Sequence, residues 1–187
     1  GARRAAAPDA TASLPIRDAE PMAASVPLLQ AEGLSKSYGG VHPARDVHVR
    51  LTRGHIHALI GPNGAGKSTF INMLSGVVPP DSGEIRFLGR SLGRAGTHAI
   101  CDRGIARTFQ NLRLFRDLAA EGRAVLASIH DLGLAARFCT RLVLLSGGHV
   151  LADGPADAVL GDDLLRRAFG ITVRRVETPD GPAILPV

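Results

Sequence analysis

A glycine-rich run from Gly61 to Thr69 carries the clearest chemical signal in the sequence. It reads Gly-Pro-Asn-Gly-Ala-Gly-Lys-Ser-Thr and matches the pattern GxxxxGK[ST]. Glycines let the backbone curl until successive N–H groups face one anion, and a helix that begins at the lysine adds the positive end of its dipole. The pattern therefore predicts a phosphate-binding loop for a nucleoside triphosphate. The residues expected to contact the nucleotide are Gly61, Pro62, Asn63, Gly64, Ala65, Gly66, Lys67, Ser68 and Thr69.

Within this loop two side chains have distinct expected roles. Lys67 should reach the β- and γ-phosphates, and the Ser68 hydroxyl should be a ligand of Mg²⁺. The alternative is an ordinary glycine-rich turn. The flanking sequence favours the phosphate loop, because His55–Ile60 has the composition of a buried strand and Phe70–Gly76 resembles a helix that ends at glycine. Strand, loop and helix in this order are the context that the motif requires.

Hydrophobic patterns elsewhere predict an α/β domain around this loop. The alternation in Val47–Leu51 and Glu84–Leu88 is typical of strands, and Ala124–Ile129 has the continuous apolar character of a strand buried on both faces. The segment 105–115 mixes polar and apolar residues and is expected to end in a loop. Further predictions are a helix over 132–138, a hairpin over 141–152, two helices within 156–169 and a β-like tail over 171–187.

Length and composition limit the classes of protein that fit. A chain of 187 residues with 45% hydrophobic content suits one globular domain, and no apolar run approaches the ~20 residues of a membrane-spanning helix. The net charge is +5, yet the basic residues are scattered rather than clustered, which argues against nucleic-acid binding. Cys101 and Cys139 lack metal-like spacing, and two cysteines do not indicate a disulfide scaffold, so a reducing cytosolic location is expected. Residues 1–27 are rich in Ala and Pro and are expected to be a disordered tail or linker, with the domain at 28–187.

Residues 28–187 resemble the ATP-binding subunits of ABC transporters, because several motifs follow one another in the order of that family. Ser35-Lys-Ser-Tyr38 is similar to the aromatic A-loop, and Gly61–Thr69 to the Walker A motif. Thr108-Phe-Gln-Asn111 resembles the Q-loop, and Ser128-Ile-His-Asp131 the switch region. Each of the other three alone could be an ordinary packing or surface segment. Together, around a full phosphate loop, they favour the family assignment.

The resemblance implies an α/β P-loop NTPase fold, a mixed sheet with flanking helices. It implies that Tyr38 stacks on adenine, that Gln110 contacts Mg²⁺ and the attacking water, and that His130 contacts the γ-phosphate of ATP. It also implies a transmembrane permease and a second ATPase subunit as partners. The chain would then be cytoplasmic and peripheral on the inner face of the plasma membrane, with no membrane insertion of its own.

The two halves of the chain resemble different importers. Ala106–Phe115 is similar to the ATPases of branched-chain amino-acid importers. Ser128–Arg137 and the Gly-Gly hairpin after it are more similar to the ATPases of iron-siderophore, haem or cobalamin importers. Both resemblances point to import.

One departure from the family is large. Gln110 and His130 are only 20 positions apart. In the family this interval holds a helical subdomain, the signature, the Walker B strand with its Asp-Glu pair and the D-loop, whereas an average helix alone takes about 11–12 residues. The domain is therefore expected to be internally truncated, with the join near 116–121. We also expect the missing Walker B strand to belong beside the strand that enters the phosphate loop, and its loss to leave unpaired backbone there.

Two features could be mistaken for the missing parts. Leu145-Ser-Gly-Gly148 contains most of the signature motif, but it follows His130 and leads into a β pattern, so we interpret it as a hairpin turn. Asp117, Glu121 and Asp131 lie in or beside the gap, but none follows four apolar residues as a Walker B carboxylate would. They are interpreted as solvated surface groups, and the attacking water would then lack its base.

Three functions compete at this stage. The first is the ATP-binding subunit of an importer that powers solute transport through a permease. The second is a nucleotide-binding remnant without catalytic turnover, which the missing acidic pair favours. The third is a P-loop protein that acts on DNA, which is disfavoured because His130 follows a strand after a Q-loop.

Overall fold

The computed structural model of the chain describes residues 27–107, 112–178 and 181–186. Its first sheet is antiparallel and has four strands: β1 (Leu29–Tyr38), β2 (Val41–Leu51), β4 (Ser82–Phe87) and the two-residue β5 (Arg90–Ser91). Their order in the sheet is β2-β1-β4-β5. The strands predicted at Val47–Leu51 and Glu84–Leu88 are confirmed within β2 and β4, although β2 begins earlier than its alternating stretch.

The second sheet contains the strand that enters the glycine-rich loop. Its order is β6-β3-β7-β8, formed by β3 (Ile56–Ile60), β6 (Val125–Ser128), β7 (Arg141–Ser146) and β8 (His149–Gly154). The pairings of β3 with β6 and with β7 are parallel, and β7 with β8 is antiparallel. A separate hairpin joins β9 (Val173–Thr178) and β10 (Gly181–Pro186), which confirms the β-like tail.

Six helices within the described residues connect and cover these sheets. They are α1 (Lys67–Leu74), α2 (Thr97–Asp102), α3 (Leu112–Ala120), α4 (Leu132–Phe138), α5 (Ala156–Val159) and α6 (Asp162–Phe169). The helix predicted over 132–138 and the helix pair within 156–169 are confirmed. A side-chain cap explains the start of α4, because Asp131 accepts a hydrogen bond from the Leu134 N–H at 2.8 Å.

The second sheet divides the interior into two hydrophobic cores, because the side chains of its central strands alternate between its faces. Leu59 and Val143 face a first core shared with α1 and the antiparallel sheet. Ile60 and Leu144 face a second core covered by α3 to α6. Because β3 is buried on both faces, all of its side chains are apolar except that of His57.

Two expectations are corrected here. The segment that was expected to end in a loop at 115 instead continues through α3, because Phe115, Leu118 and Ala119 recur at helical spacing and pack against the second core. The phosphate-loop strand has no vacant side, since β6 and β7 pair with it on its two edges. Within the described residues β6 and β8 are the two edge strands of this sheet, so a further strand on the β6 side would lie one position farther from β3.

His57 is a polar group enclosed by this fold. It is fully buried, and its Nε2 accepts a hydrogen bond from the Thr52 N–H at 3.0 Å. Its Nδ1 has no hydrogen-bond partner among the described residues. Burial is the main cause that lowers the pKa of His57 from 6.5 to about 3, with a smaller contribution from His55 and Arg141. The imidazole is therefore neutral in the folded chain at physiological pH.

The buried histidine makes stability depend on pH. Below pH 6.5 the unfolded chain binds a proton at His57, while the folded chain does not until about pH 3, so the free energy of unfolding should fall as pH is lowered through this window. We expect His57→Gln, which keeps an acceptor for Thr52, to reduce this fall by about 1 kcal/mol between pH 7.5 and 5.5. Urea unfolding of both proteins at the two pH values measures these free energies. An equal fall in the free energy of unfolding for the two proteins would contradict a neutral, buried His57.

Candidate nucleotide site

The glycine-rich loop lies between β3 and α1, in the strand–loop–helix context that the motif requires. Glycines are needed at three of its positions, since Gly61, Gly64 and Gly66 all have positive φ. Gly66 is the N-cap of α1, and no side chain caps the helix. The first turn of α1 also contains no acidic residue. The N–H groups at this helix end are thus free to face an anion.

Two backbone carbonyls form tight walls around the loop. A Cβ atom at Gly66 would lie 1.8 Å from the Pro43 carbonyl oxygen, and one at Gly61 would lie 2.3 Å from that of Leu145. Strand β2 therefore crosses directly over the start of α1, and β7 supports the start of the loop. Sequence reasoning missed both walls, because Pro43 and Leu145 carry no motif of their own.

The Leu145–Gly148 segment is confirmed as a hairpin turn, with Ser146 paired to His149. Gly147 and Gly148 both have positive φ, as a two-residue hairpin turn requires. The turn also contacts β2: the Arg45 N–H donates to the Gly148 carbonyl at 2.8 Å, and a Cβ atom at Gly148 would lie 2.7 Å from the His42 carbonyl oxygen. Its glycines thus have a packing role beside the loop.

Lys67 lies inside the loop with its ammonium bound to the loop itself. Its Nζ donates to the carbonyl oxygens of Gly61 at 2.6 Å and Pro62 at 2.8 Å, and the residue is only 7% exposed. Burial lowers the pKa of Lys67. An ammonium has three N–H donors, and two of them are used by these carbonyls within the described residues. A buried cation of this kind is the chemistry that a phosphate oxygen satisfies.

Tyr38 and His130, two further site residues predicted from the sequence, are far from this loop along the chain but lie on elements near it. Tyr38 ends β1, is 47% exposed, and pairs across the Gly39-Gly40 turn with Val41, which is 67% exposed. Val41 lies two residues before Pro43, hence roughly 7 Å along β2 from the wall of the loop. An exposed aromatic and apolar pair therefore lies near the phosphate loop, on the scale of a nucleoside.

His130 reaches the same edge by parallel pairing. Leu59 pairs with Ser128, and two residues farther along the strands lie Gly61 and His130. His130 is exposed, so it can contact a ligand at the loop. Gln110 and the rest of the predicted Q-loop lie outside the described residues. Just before them, Arg107 donates to the Asn72 side chain of α1 at 2.7 Å.

Two of the three carboxylates in or beside the interval between Gln110 and His130 make local contacts. Glu121 pairs with Arg123 at 3.2 Å, Asp131 caps α4, and Asp117 is exposed on α3. Among the residues that the structure describes, no group of three or more His, Cys, Asp or Glu side chains could hold a metal ion. Ser68 is exposed in the first turn of α1 and fits a Mg²⁺ ion that is held chiefly by phosphate oxygens and water.

The fold and this loop define a P-loop nucleotide-binding domain. The family model for ABC transporters matches residues 44–156, which is more than half of the chain, so the chain belongs to the ABC transporter family. It is 42% identical over 106 residues to the ribose import ATP-binding protein RbsA 1 of Mesorhizobium japonicum. It is 38% identical over 96 residues to the high-affinity branched-chain amino acid transport ATP-binding protein BraF of Pseudomonas aeruginosa.

These matches are partial. They cover 57% and 51% of this chain, but only 21% of RbsA 1 and 38% of BraF. Solved structures share the fold at 15% identity. A nucleotide-free ATP-binding cassette from an ABC transporter gives a TM-score of 0.66 over 78% of this chain and 96% of that one. The subunit cbiO1 of Clostridium perfringens gives 0.60 over 75% and 93%. The α/β fold predicted from the sequence is confirmed.

The backbone wall at Gly66 generates a stability prediction. Gly66→Ala should cost more than about 3 kcal/mol, because the left-handed φ alone costs about 1–3 kcal/mol and the new methyl group overlaps the Pro43 carbonyl. Gly161→Ala is a matched control. Gly161 is the N-cap of another eight-residue helix, α6, but has an ordinary φ and open space around it. It should cost about 1 kcal/mol or less. Equal losses in urea unfolding would contradict the close approach of β2.

Proposed function

We propose that the chain is the ATP-binding part of an ABC importer and binds Mg-ATP at the loop between β3 and α1. The observation that carries this proposal is the buried Lys67 ammonium, held by loop carbonyls at the N-terminus of α1, which no side chain caps. Membership in a family whose relatives are named for import of ribose and of branched-chain amino acids supports a role in solute import. The resemblance of the second half to siderophore-type importer ATPases stays a prediction.

Each predicted site residue has a defined part in this proposal. The loop from Gly61 to Thr69 binds the triphosphate through backbone N–H groups, and Lys67 exchanges its carbonyl partners for phosphate oxygens. The exposed Tyr38 ring and the exposed Val41 side chain contact the adenine. Ser68 and Gln110 would hold Mg²⁺, which supplies positive charge to the β- and γ-phosphates. His130 would contact the γ-phosphate from the carboxyl end of β6.

The proposed partners follow from family membership. Importer ATPases work under a membrane permease, and the relatives are import ATP-binding proteins by name. We therefore propose a permease and a second ATP-binding subunit as partners, on the cytoplasmic face of the plasma membrane. Among the described residues, none of the helices has the length and apolar character needed to cross a membrane.

A thermal melt tests nucleotide binding. With Mg-ATP at a hundredfold over its dissociation constant, the chain should gain ~2.7 kcal/mol of stability. For a chain of this size the gain corresponds to a rise of roughly 5–10 °C in Tm. Lys67→Ala removes the ammonium and should abolish most of the rise. A parent protein that melts at the same temperature with and without Mg-ATP would contradict the proposal.

Hydrolysis should be slow even where binding is clear. Glu121 and Asp131 make local contacts, and none of Asp117, Glu121 and Asp131 follows a run of four apolar residues. Loss of a general base commonly costs a factor of ~10²–10⁴ in rate. Against a typical kcat of about 10 s⁻¹, we expect steady-state phosphate release from the isolated chain below about 0.1 s⁻¹. A rate near the typical value that Lys67→Ala abolishes would show that another group serves as the base. The measured rate of phosphate release therefore distinguishes an importer ATPase from a nucleotide-binding module without turnover.

A further inference from the structure

Asp81 makes four contacts with three consecutive residues at the end of β1. Its backbone N–H donates to the Ser35 carbonyl at 2.9 Å. Its Oδ1 pairs with the Lys36 ammonium at 2.7 Å. Its Oδ2 accepts from the Ser37 N–H at 2.7 Å and from the Ser37 hydroxyl at 3.0 Å. The residue that follows these three is Tyr38.

These contacts replace a strand pairing that has ended. The ladder between β1 and β4 stops at the pair Ser35–Ser82, so the backbone of Ser37 has no partner in β4. The Asp81 carboxylate takes that N–H and thereby extends the pairing of β1 toward Tyr38. The hydrogen bonds from Lys36 and Ser37 lower the pKa of Asp81 to about 2, so the carboxylate is ionised at neutral pH.

Lys36 connects the carboxylate to the Tyr38 ring. The two residues are two positions apart in β1 and so share one face of the strand. The Lys36 ammonium lies 5.5 Å from the ring centroid, within range of a cation–π contact. The Lys36 side chain is only 12% exposed, although it ends in a charge, whereas that of Asp81 is 45% exposed. The ring therefore lies beside an ammonium that Asp81 holds in one place.

Because the Asp81 carboxylate is half-exposed, this ion pair adds little to folding stability, and its main effect is on geometry. Tyr38 is half-exposed at the end of β1, where a side chain without such a contact samples several rotamers. A side chain that is already ordered loses less entropy when a ligand binds to it. The contacts of Asp81 thus prepare one orientation of the ring.

We propose that Asp81 is a positioning residue that orients Tyr38 for the base of the nucleotide, through Lys36 and the backbone of Ser37. The inference rests on the proposed function, because it assigns a role within the same site. Asp81 contacts neither the phosphate loop nor Lys67 through any hydrogen bond of the described residues. It should therefore affect affinity for the base of a nucleotide and leave affinity for the triphosphate unchanged.

Two ligands separate these contributions: Mg-ATP, and Mg-tripolyphosphate, which has no base. Calorimetric titration of the parent protein should give a lower Kd for Mg-ATP than for Mg-tripolyphosphate. Asp81→Ala should raise the Kd for Mg-ATP roughly 2- to 10-fold, the loss expected when one side chain must be ordered on binding. The Kd for Mg-tripolyphosphate should stay within about twofold. Asp81→Asn, which keeps an acceptor for Ser37 but removes the charge beside Lys36, should give a smaller change.

Coupling to Tyr38 distinguishes positioning from a general structural effect. In a Tyr38→Ala background, Asp81→Ala should leave the Kd for Mg-ATP unchanged within about twofold, because the group that it orients is absent. Asp153→Asn is the matched control. It removes the charge that pairs with Arg141, whose Nε lies 2.6 Å from the Asp153 Oδ1. This ion pair lies at the opposite end of β7 from the loop, so the substitution should alter neither Kd.

Each outcome has a defined meaning. Equal weakening of both ligands by Asp81→Ala, an unchanged Kd for Mg-ATP, or an undiminished effect in the Tyr38→Ala background would overturn the inference while leaving the proposed function intact. A parent protein that binds neither ligand would overturn the proposed function and the inference with it. Where Asp81→Ala does not fold, the comparison is made with Asp81→Asn.

Discussion

The close approach of the Pro43 carbonyl to Gly66 is the constraint on which the rest of the site depends. Because Gly66 has no Cβ atom, β2 can lie directly over the first turn of α1. That position brings the β1–β2 turn, with Tyr38 and Val41, within reach of a ligand held at the phosphate loop. It also places β2 against the β7–β8 turn, where Gly148 meets His42 at a second close contact. Two separate sheets are thereby joined through backbone contacts at one nucleotide-sized region.

The same geometry explains the state of Lys67. The loop encloses its ammonium, and burial lowers its pKa, so the charge needs oxygen partners. The carbonyls of Gly61 and Pro62 supply two of them. A triphosphate can offer stronger, charged acceptors to the same donors, and the start of α1, which no side chain caps, adds its dipole. The position of Lys67 at the start of the helix thus combines a buried cation with a helix dipole at one point of the loop.

The sequence alone was sufficient for the elements whose signals are local. The loop between β3 and α1, the helix after Asp131, and the Gly147–Gly148 turn all follow from residue types at fixed spacing, and the structure confirms them. The walls formed by Pro43 and Leu145 could not be predicted, since a backbone carbonyl leaves no trace in the residue type. Asp81 was hidden for a different reason. Its partners are 44–46 positions away, and the turn cluster around it is a common sequence.

The pairing of β3 shows what holds the strand that enters the phosphate loop in place. The sequence suggested a vacancy beside β3, but β6 and β7 pair with its two sides, and the edge strands of the sheet are β6 and β8. The connection from α3 to β6 is short, and Phe115 of α3 packs into the same core as Val125 of β6. The strand that carries His130 is thus anchored next to the loop without any help from a strand farther out. The groups proposed to bind the nucleotide therefore lie on β1, α1, the loop after β3 and the end of β6. Each of these elements is held by strand pairing or by core packing within the described residues, so the proposed binding groups do not depend on a strand outside β6.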